Sequence, residues 1–130
     1  MRTLALALVA TAVAGSSYAA DEPVQPTSSY FEGAKITVNA RAKADGFMRV
    51  RVVPENGEPR EATFGIAKRM NENDLAKGIA VSLNTVLLPE YVADKDNGEH
   101  VKIQKKQKNA PNFSVEITFN APGFSVILDD

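Results

Sequence analysis

The chain has 130 residues, with 15 Lys and Arg against 16 Asp and Glu, a net charge of −1, one histidine and no cysteine. That balance argues against a general nucleic-acid binder, and the missing cysteine excludes disulfides, thiolate metal sites and a cysteine nucleophile.

In chain order, residues 1–19 carry the marks of a secretory signal peptide. Arg2 gives the positive start, Leu4 to Ala14 is apolar, and Ser17 and Ala19 supply small residues that place cleavage after Ala19. The run is shorter than the roughly 20 residues a membrane span needs, and nothing later comes near one. The expected product is exported, periplasmic or secreted, without a membrane span. Losing Arg2 takes the net charge to −2. Residues 20–33, ADEPVQPTSSYFEG, hold two prolines and no apolar period, which predicts a flexible leader with Tyr30 and Phe31 placed to dock on the domain. Residues 34–130 make one modest domain with one core.

Ile36, Val38, Ala40 and Ala42 alternate with polar residues, and Met48, Val50 and Val52 alternate with Arg49 and Arg51, so two strands are predicted. Ala44-Asp45-Gly46 turns them into a hairpin, in which a two-residue Asp45-Gly46 loop would put Arg49 on the apolar face. A three-residue loop instead pairs Ala42 with Met48, Ala40 with Val50 and Val38 with Val52. A third strand, Glu61 to Ala67, turns Ala62, Phe64 and Ile66 inward, in a register with Val50 facing Phe64.

A helix is predicted over 71–88. Leu75, Ile79, Leu83 and Val86 recur at helical spacing, Ala76 and Ala80 widen the face, Asn71 or Asn73 caps the start, and Pro89 stops it. Gly78 costs about 1 kcal/mol relative to Ala in such a helix, which points to close approach of a strand or to a tolerated weakness. Beyond it, Tyr91 to Asp94 and His100 to Lys105 form a hairpin around Asn97-Gly98 with Val92 opposite Ile103. Residues 106–112 form a loop. Phe113, Val115, Ile117 and Phe119 then turn through Asn120-Ala121-Pro122-Gly123 into Phe124, Val126 and Leu128 as a last hairpin. The predicted class is α+β: about seven short antiparallel strands, mostly hairpins, packed on a single amphipathic helix in the order βββ-α-ββ-ββ.

Material for catalysis is scarce. Ser82, Ser114 or Ser125 could be set beside His100, but no nucleophile elbow surrounds any of them, and Glu61, Glu90 and Glu116 are the carboxylates an enzyme would have to use. No motif calls for a cofactor. Asp94, Asp96 and Glu99 crowd around a glycine as calcium loops do, yet the spacing departs from an EF-hand, and a hairpin turn with acidic shoulders accounts for the same residues.

Charge is distributed unevenly. Lys35, Arg41, Lys43, Arg49 and Arg51 face only Asp45 between 35 and 51, and Lys102, Lys105, Lys106 and Lys108 have no acid among them. In the hairpin register Arg41 lies opposite Arg49, a like-charge pair that an anion would relieve; solvated edge strands are the plainer explanation. The expected function is an exported, non-catalytic binding domain that meets an unidentified protein or an anionic envelope polymer through Arg41, Lys43, Arg49, Arg51 and Lys102. Two alternatives are a structural or accessory subunit of an envelope or extracellular assembly, and an inhibitor of a secreted hydrolase probing with residues 55–59.

Overall fold

Alternation of apolar and polar residues at period two builds two antiparallel sheets, and the single stretch with helical period closes one side of them. A computed structural model describes residues 17–18 and 30–129. The rest of the expected signal peptide and leader residues 20–29 lie outside the described residues. The elements are β1 (Ser17–Tyr18), β2 (Gly33–Ala40), β3 (Gly46–Pro54), β4 (Arg60–Ile66), α1 (Glu72–Leu87), β5 (Tyr91–Asp96), β6 (His100–Lys105), β7 (Phe113–Phe119) and β8 (Phe124–Asp129). This is the α+β arrangement expected. Sheet A has the order β1-β8-β2-β6-β5 and sheet B the order β4-β3-β7. No described helix is long and apolar enough to cross a membrane.

Both sheets bury one face in a shared core: Ile36, Val38, Val101, Ile103, Tyr91 and Val126 from sheet A, and Met48, Val50, Val52, Val115 and Ile117 from sheet B. Aromatic rings lock the layers together. Tyr91 meets Phe113 edge-on at 5.3 Å, and Phe119 stacks on Phe124 at 4.5 Å, each pair spanning the two sheets. Phe31 docks as expected, bridging to Phe113 by two backbone hydrogen bonds of 2.7 and 3.0 Å, whereas Tyr30 stays exposed.

Two predicted hairpins are in fact crossings between sheets. Val38 pairs with Val126 and Ala40 with Phe124, while Met48 pairs with Phe64 and Phe119, and Val52 with Arg60 and Val115. Arg41 is therefore not opposite Arg49. Ala40 takes a φ of 74°, which turns the chain out of sheet A, and residues 41–45 carry it to sheet B. The last hairpin is split in the same way, β7 lying in sheet B and β8 in sheet A. The two crossings run side by side: Lys43 N donates to Pro122 O at 2.8 Å, and a Cβ on Gly123, whose φ is +108°, would stand 2.6 Å from Arg41 O.

Two registers also differ from expectation. Val50 faces Ala62 and not Phe64, a two-residue shift that keeps the same residues inside. Between β5 and β6 the slip is one residue: Val92 faces Gln104, a three-residue turn joins Asp96 to His100, and Tyr91 and Ala93 are the buried pair. A one-residue slip exchanges faces, and the fully buried Tyr91 side chain, bonded through its hydroxyl to Pro111 O at 2.6 Å, decides it.

Helix α1 forms close to the predicted bounds. Asn71 caps it by accepting from Asp74 N at 2.9 Å, and Glu72 and Asp74 sit at the positive end of its dipole. It buries Leu75, Ala76, Ile79, Ala80, Leu83 and Leu87 against the open side between β4 and β5. On β5, the Asn84 side chain donates to Ala93 O and accepts from Ala93 N, both at 2.8 Å, supplying the partner that an edge strand lacks. On β4, Phe64 lies against Gly78, where an added Cβ would stand 2.6 Å from the ring. Of the two readings of Gly78, close approach holds.

Gly78→Ala is therefore expected to destabilise the domain by about 1 kcal/mol in urea unfolding, although helix propensity alone favours Ala by about that amount. In a Phe64→Leu background the same change should stabilise it. Equal stabilisation in both backgrounds would contradict the packing argument.

Candidate functional site

The alternation that buries Met48, Val50 and Val52 turns Phe47, Arg49 and Arg51 onto the outer face of sheet B. There the arginines are flanked by neighbours: Arg49 lies between Thr63 and Thr118, and Arg51 between Glu61 and Glu116. Arg49 Nε is 3.8 Å from Glu61 Oε2 and Arg51 Nη1 is 3.5 Å from Glu116 Oε1. Exposed pairs of this kind contribute up to about 1 kcal/mol, but they neutralise the face. A shallow depression of about 270 Å³ opens beside Phe47, Arg49, Thr63, Thr118 and Asn120.

Lys102 stands elsewhere, on the outer face of sheet A. It lies directly opposite Lys35 on β2, so the fold does contain a facing like-charge pair, at a different place from the expected one. Asp129 is opposite Lys35 on its other side, Asp94 is opposite Lys102, and Asp96 Oδ2 is 3.4 Å from Lys102 Nζ. The five expected binding residues thus fall on three surfaces: Arg49 and Arg51 on sheet B, Lys102 on sheet A, and Arg41 and Lys43 at the crossing between the sheets.

At that crossing three segments are knitted together. Ala42 N donates to Met70 O at 3.0 Å and Arg69 N to Ala42 O at 2.8 Å; Lys68 N donates to Asp45 Oδ1 at 2.8 Å; Phe47 N donates to Asn120 Oδ1 at 2.8 Å. The result is one corner exposing Arg41, Lys43, Lys68 and Arg69, with Phe47 at its border 60% exposed. None of these four cations makes a salt bridge among the described residues. Ala40 and Arg69 hold φ of 74° and 77°, a left-handed backbone that costs a non-glycine residue free energy and that the clasp at Ala42 keeps in place. Lys68 and Arg69 were absent from the expected set. Their adjacency in sequence was the available signal, but they fall between a strand and a helix, outside the strand-borne charge run.

The candidate catalytic and metal groups are dispersed. Thr37 Oγ1 and His100 Nδ1 share a 2.8 Å hydrogen bond on sheet A, Ser82 Oγ donates to Ile79 O within the helix, and Ser114 is in sheet B. Asp94, Asp96 and Glu99 are not drawn into a metal-holding group, and no cluster of three such ligands occurs among the described residues.

Glu90 is held by Arg60, whose Nη1 donates to Glu90 Oε1 at 2.8 Å and to Leu87 O at 3.1 Å, with its Cζ 5.5 Å over the Tyr91 ring. Helix α1 has no basic residue in its last turn, so Arg60, reaching across from β4, serves its carbonyl end. The Arg60 hydrogen bond holds the Glu90 carboxyl below its ordinary value, and burial pushes the Tyr91 hydroxyl up. No protein-family model matches the chain, and no curated protein matches it.

Replacing Arg60 by Met should cost about 2 kcal/mol at neutral pH, since the helix carbonyls lose a charged donor. Because the folded state holds Glu90 below its ordinary value, the unfolded chain takes up the proton first as pH falls. The Glu90 contribution is therefore present above the ordinary carboxylate range, about pH 4, and is lost as pH falls through the lower folded value. Thermal unfolding of Glu90→Gln should lie below the unaltered protein at pH 7, with the gap closing in acid; a gap that widened in acid would reverse the assignment.

Proposed function

We propose that this is an exported binding domain which holds an acidic partner at the corner formed by Arg41, Lys43, Lys68 and Arg69. One observation carries this reading: the strand-borne basic residues Arg49, Arg51 and Lys102 are each matched to a nearby carboxylate, whereas the four corner cations make no such pair among the described residues. Unmatched cations on a surface held by interlocked backbone attract anions without first breaking an internal pair. Phe47 adds an exposed apolar plate next to them. The hydrogen bonds at Ala42, Asp45 and Asn120 fix the corner before any partner arrives, which lowers the ordering cost of binding. The dispersal of His100, the serines and the candidate carboxylates supports binding over catalysis. An anionic envelope polymer or an acidic protein surface both fit this chemistry.

The test compares Arg41→Glu with Lys68→Glu at the corner against Lys106→Glu with Lys108→Glu in the loop at the other end of sheet A. Both double variants change the net charge equally. Capture of envelope polymers and proteins, measured over a salt series, should weaken about tenfold for the corner variant, about 1.4 kcal/mol, and stay near the unaltered level for the loop variant. Equal losses would reduce the effect to net charge, and no loss from the corner variant would end the proposal.

A further inference from the structure

Each sheet has two edges, and they are treated differently. The edges at β4 and β5 are closed by α1, through Gly78 against Phe64 and through the paired hydrogen bonds of Asn84 to Ala93. On the opposite side, among the described residues, the outer edge of β7 carries only the Phe31 bridge at Phe113. The outer edge of β8 is met only by the two residues of β1, Ser17 opposite Ile127 and Tyr18 opposite Val126, among the described residues. Natural edge strands are usually blunted by lysine, proline, a bulge or a cover. β8, Phe124-Ser125-Val126-Ile127-Leu128-Asp129, has no lysine, arginine or proline.

We infer that the outer edge of β8 is a strand-docking seam that takes β8 of a second copy, and that the export segment covers this seam until it is removed. The seating of β1 shows that the backbone at Val126 and Ile127 accepts an antiparallel strand. The sequence of β8 is self-complementary for that purpose. A two-fold axis through Val126 sets Phe124 opposite Leu128 and Ser125 opposite Ile127, so the core-facing residues meet each other and the outer-face residues do likewise. Asp129 is carried past the partner's Phe124, so no like charges face each other across the seam. The outcome is one continuous eight-stranded sheet made from β8, β2, β6 and β5 of both copies. Because β1 holds the residues at the centre of that seam, cis pairing and self-pairing exclude each other. The blocking half rests on reading residues 1–19 as an export segment removed after Ala19; the seam itself does not depend on the acidic partner.

Sedimentation and light scattering across a concentration series test both halves. A chain beginning at Ala20 is expected to form a dimer, and the same chain with Ser125→Lys and Ile127→Lys is expected to remain monomeric with its thermal unfolding retained. A chain beginning at Gly15, which keeps Ser17 and Tyr18 without the apolar run, is expected to dimerise more weakly. A monomeric Ala20 chain throughout the series, or a dimer indifferent to the two lysines, overturns the seam. Equal dimerisation of the Gly15 and Ala20 chains overturns the blocking step. Amide exchange in the unsubstituted Ala20 chain gives a second readout that needs no variant: protection of Phe124 to Asp129 should rise with protein concentration, and protection independent of concentration overturns the seam.

Discussion

The pairing of Asn84 with both backbone groups of Ala93 is the constraint on which much of the architecture depends. A two-layer sandwich of short sheets has four edges and an open flank, and a single helix can cover only one side. Asn84 ties that helix to sheet A, while Gly78 lets it approach sheet B closely enough for Phe64 to lie against it. Arg60 then secures the carbonyl end of the helix from β4 and holds Glu90 in place. With the β4 and β5 edges taken, the described residues hold no second helix for the β7 and β8 edges, so among them a closed side faces an open one.

What the sequence made legible was which residues face inward. Ile36, Val38, Met48, Val50, Ile117 and Val126 are buried as their alternation required, and the helix lies within a residue of its predicted bounds at each end. The β3–β4 and β5–β6 pairings were legible, with shifted registers, but the partners of β2, and the splitting of β2 from β3 and of β7 from β8, were not. Parity requires only that residues opposite each other share a face, and a crossing from one sheet to the facing sheet meets that condition as well as a hairpin does. The choice was made by contacts far apart in sequence, Ala42 with Met70 and Lys43 with Pro122. No local pattern near Asp45-Gly46 or Pro122-Gly123 encodes them. The one-residue slip between β5 and β6 has a similar origin, since it is set by where Tyr91 can bury its ring and still reach Pro111.

The charge pattern was legible as composition but not as position. A stretch of basic residues counted along the chain merges groups that the fold separates. Alternation sends Arg49 and Arg51 to one outer face and Lys102 to the other, and each meets a carboxylate from a neighbouring strand. Such cross-strand matching is what a flat, solvated sheet face needs to avoid repulsion, as the Asp129, Lys35, Lys102, Asp94 row illustrates. A corner has no facing strand to supply the matching acid. Arg41 and Lys43 project from the crossing and Lys68 and Arg69 from the β4–α1 connection hydrogen-bonded to it, and none of the four makes a salt bridge among the described residues.

The corner and the β8 edge are joined, because β8 begins immediately after Gly123, which packs against Arg41 and Lys43. In a two-fold seam centred on Val126 the two corners would lie at opposite ends of the paired strands. Six residues of strand at about 3.3 Å each set them about 20 Å apart. If the corner binds anions as proposed, two corners at a fixed spacing would bind a repeating acidic polymer or a two-fold acidic partner more tightly than one corner alone, since the second contact becomes intramolecular. A partner that offers a single acidic patch gains nothing from the seam. Bivalent geometry therefore distinguishes the two kinds of acidic partner that the chemistry of the corner leaves equivalent.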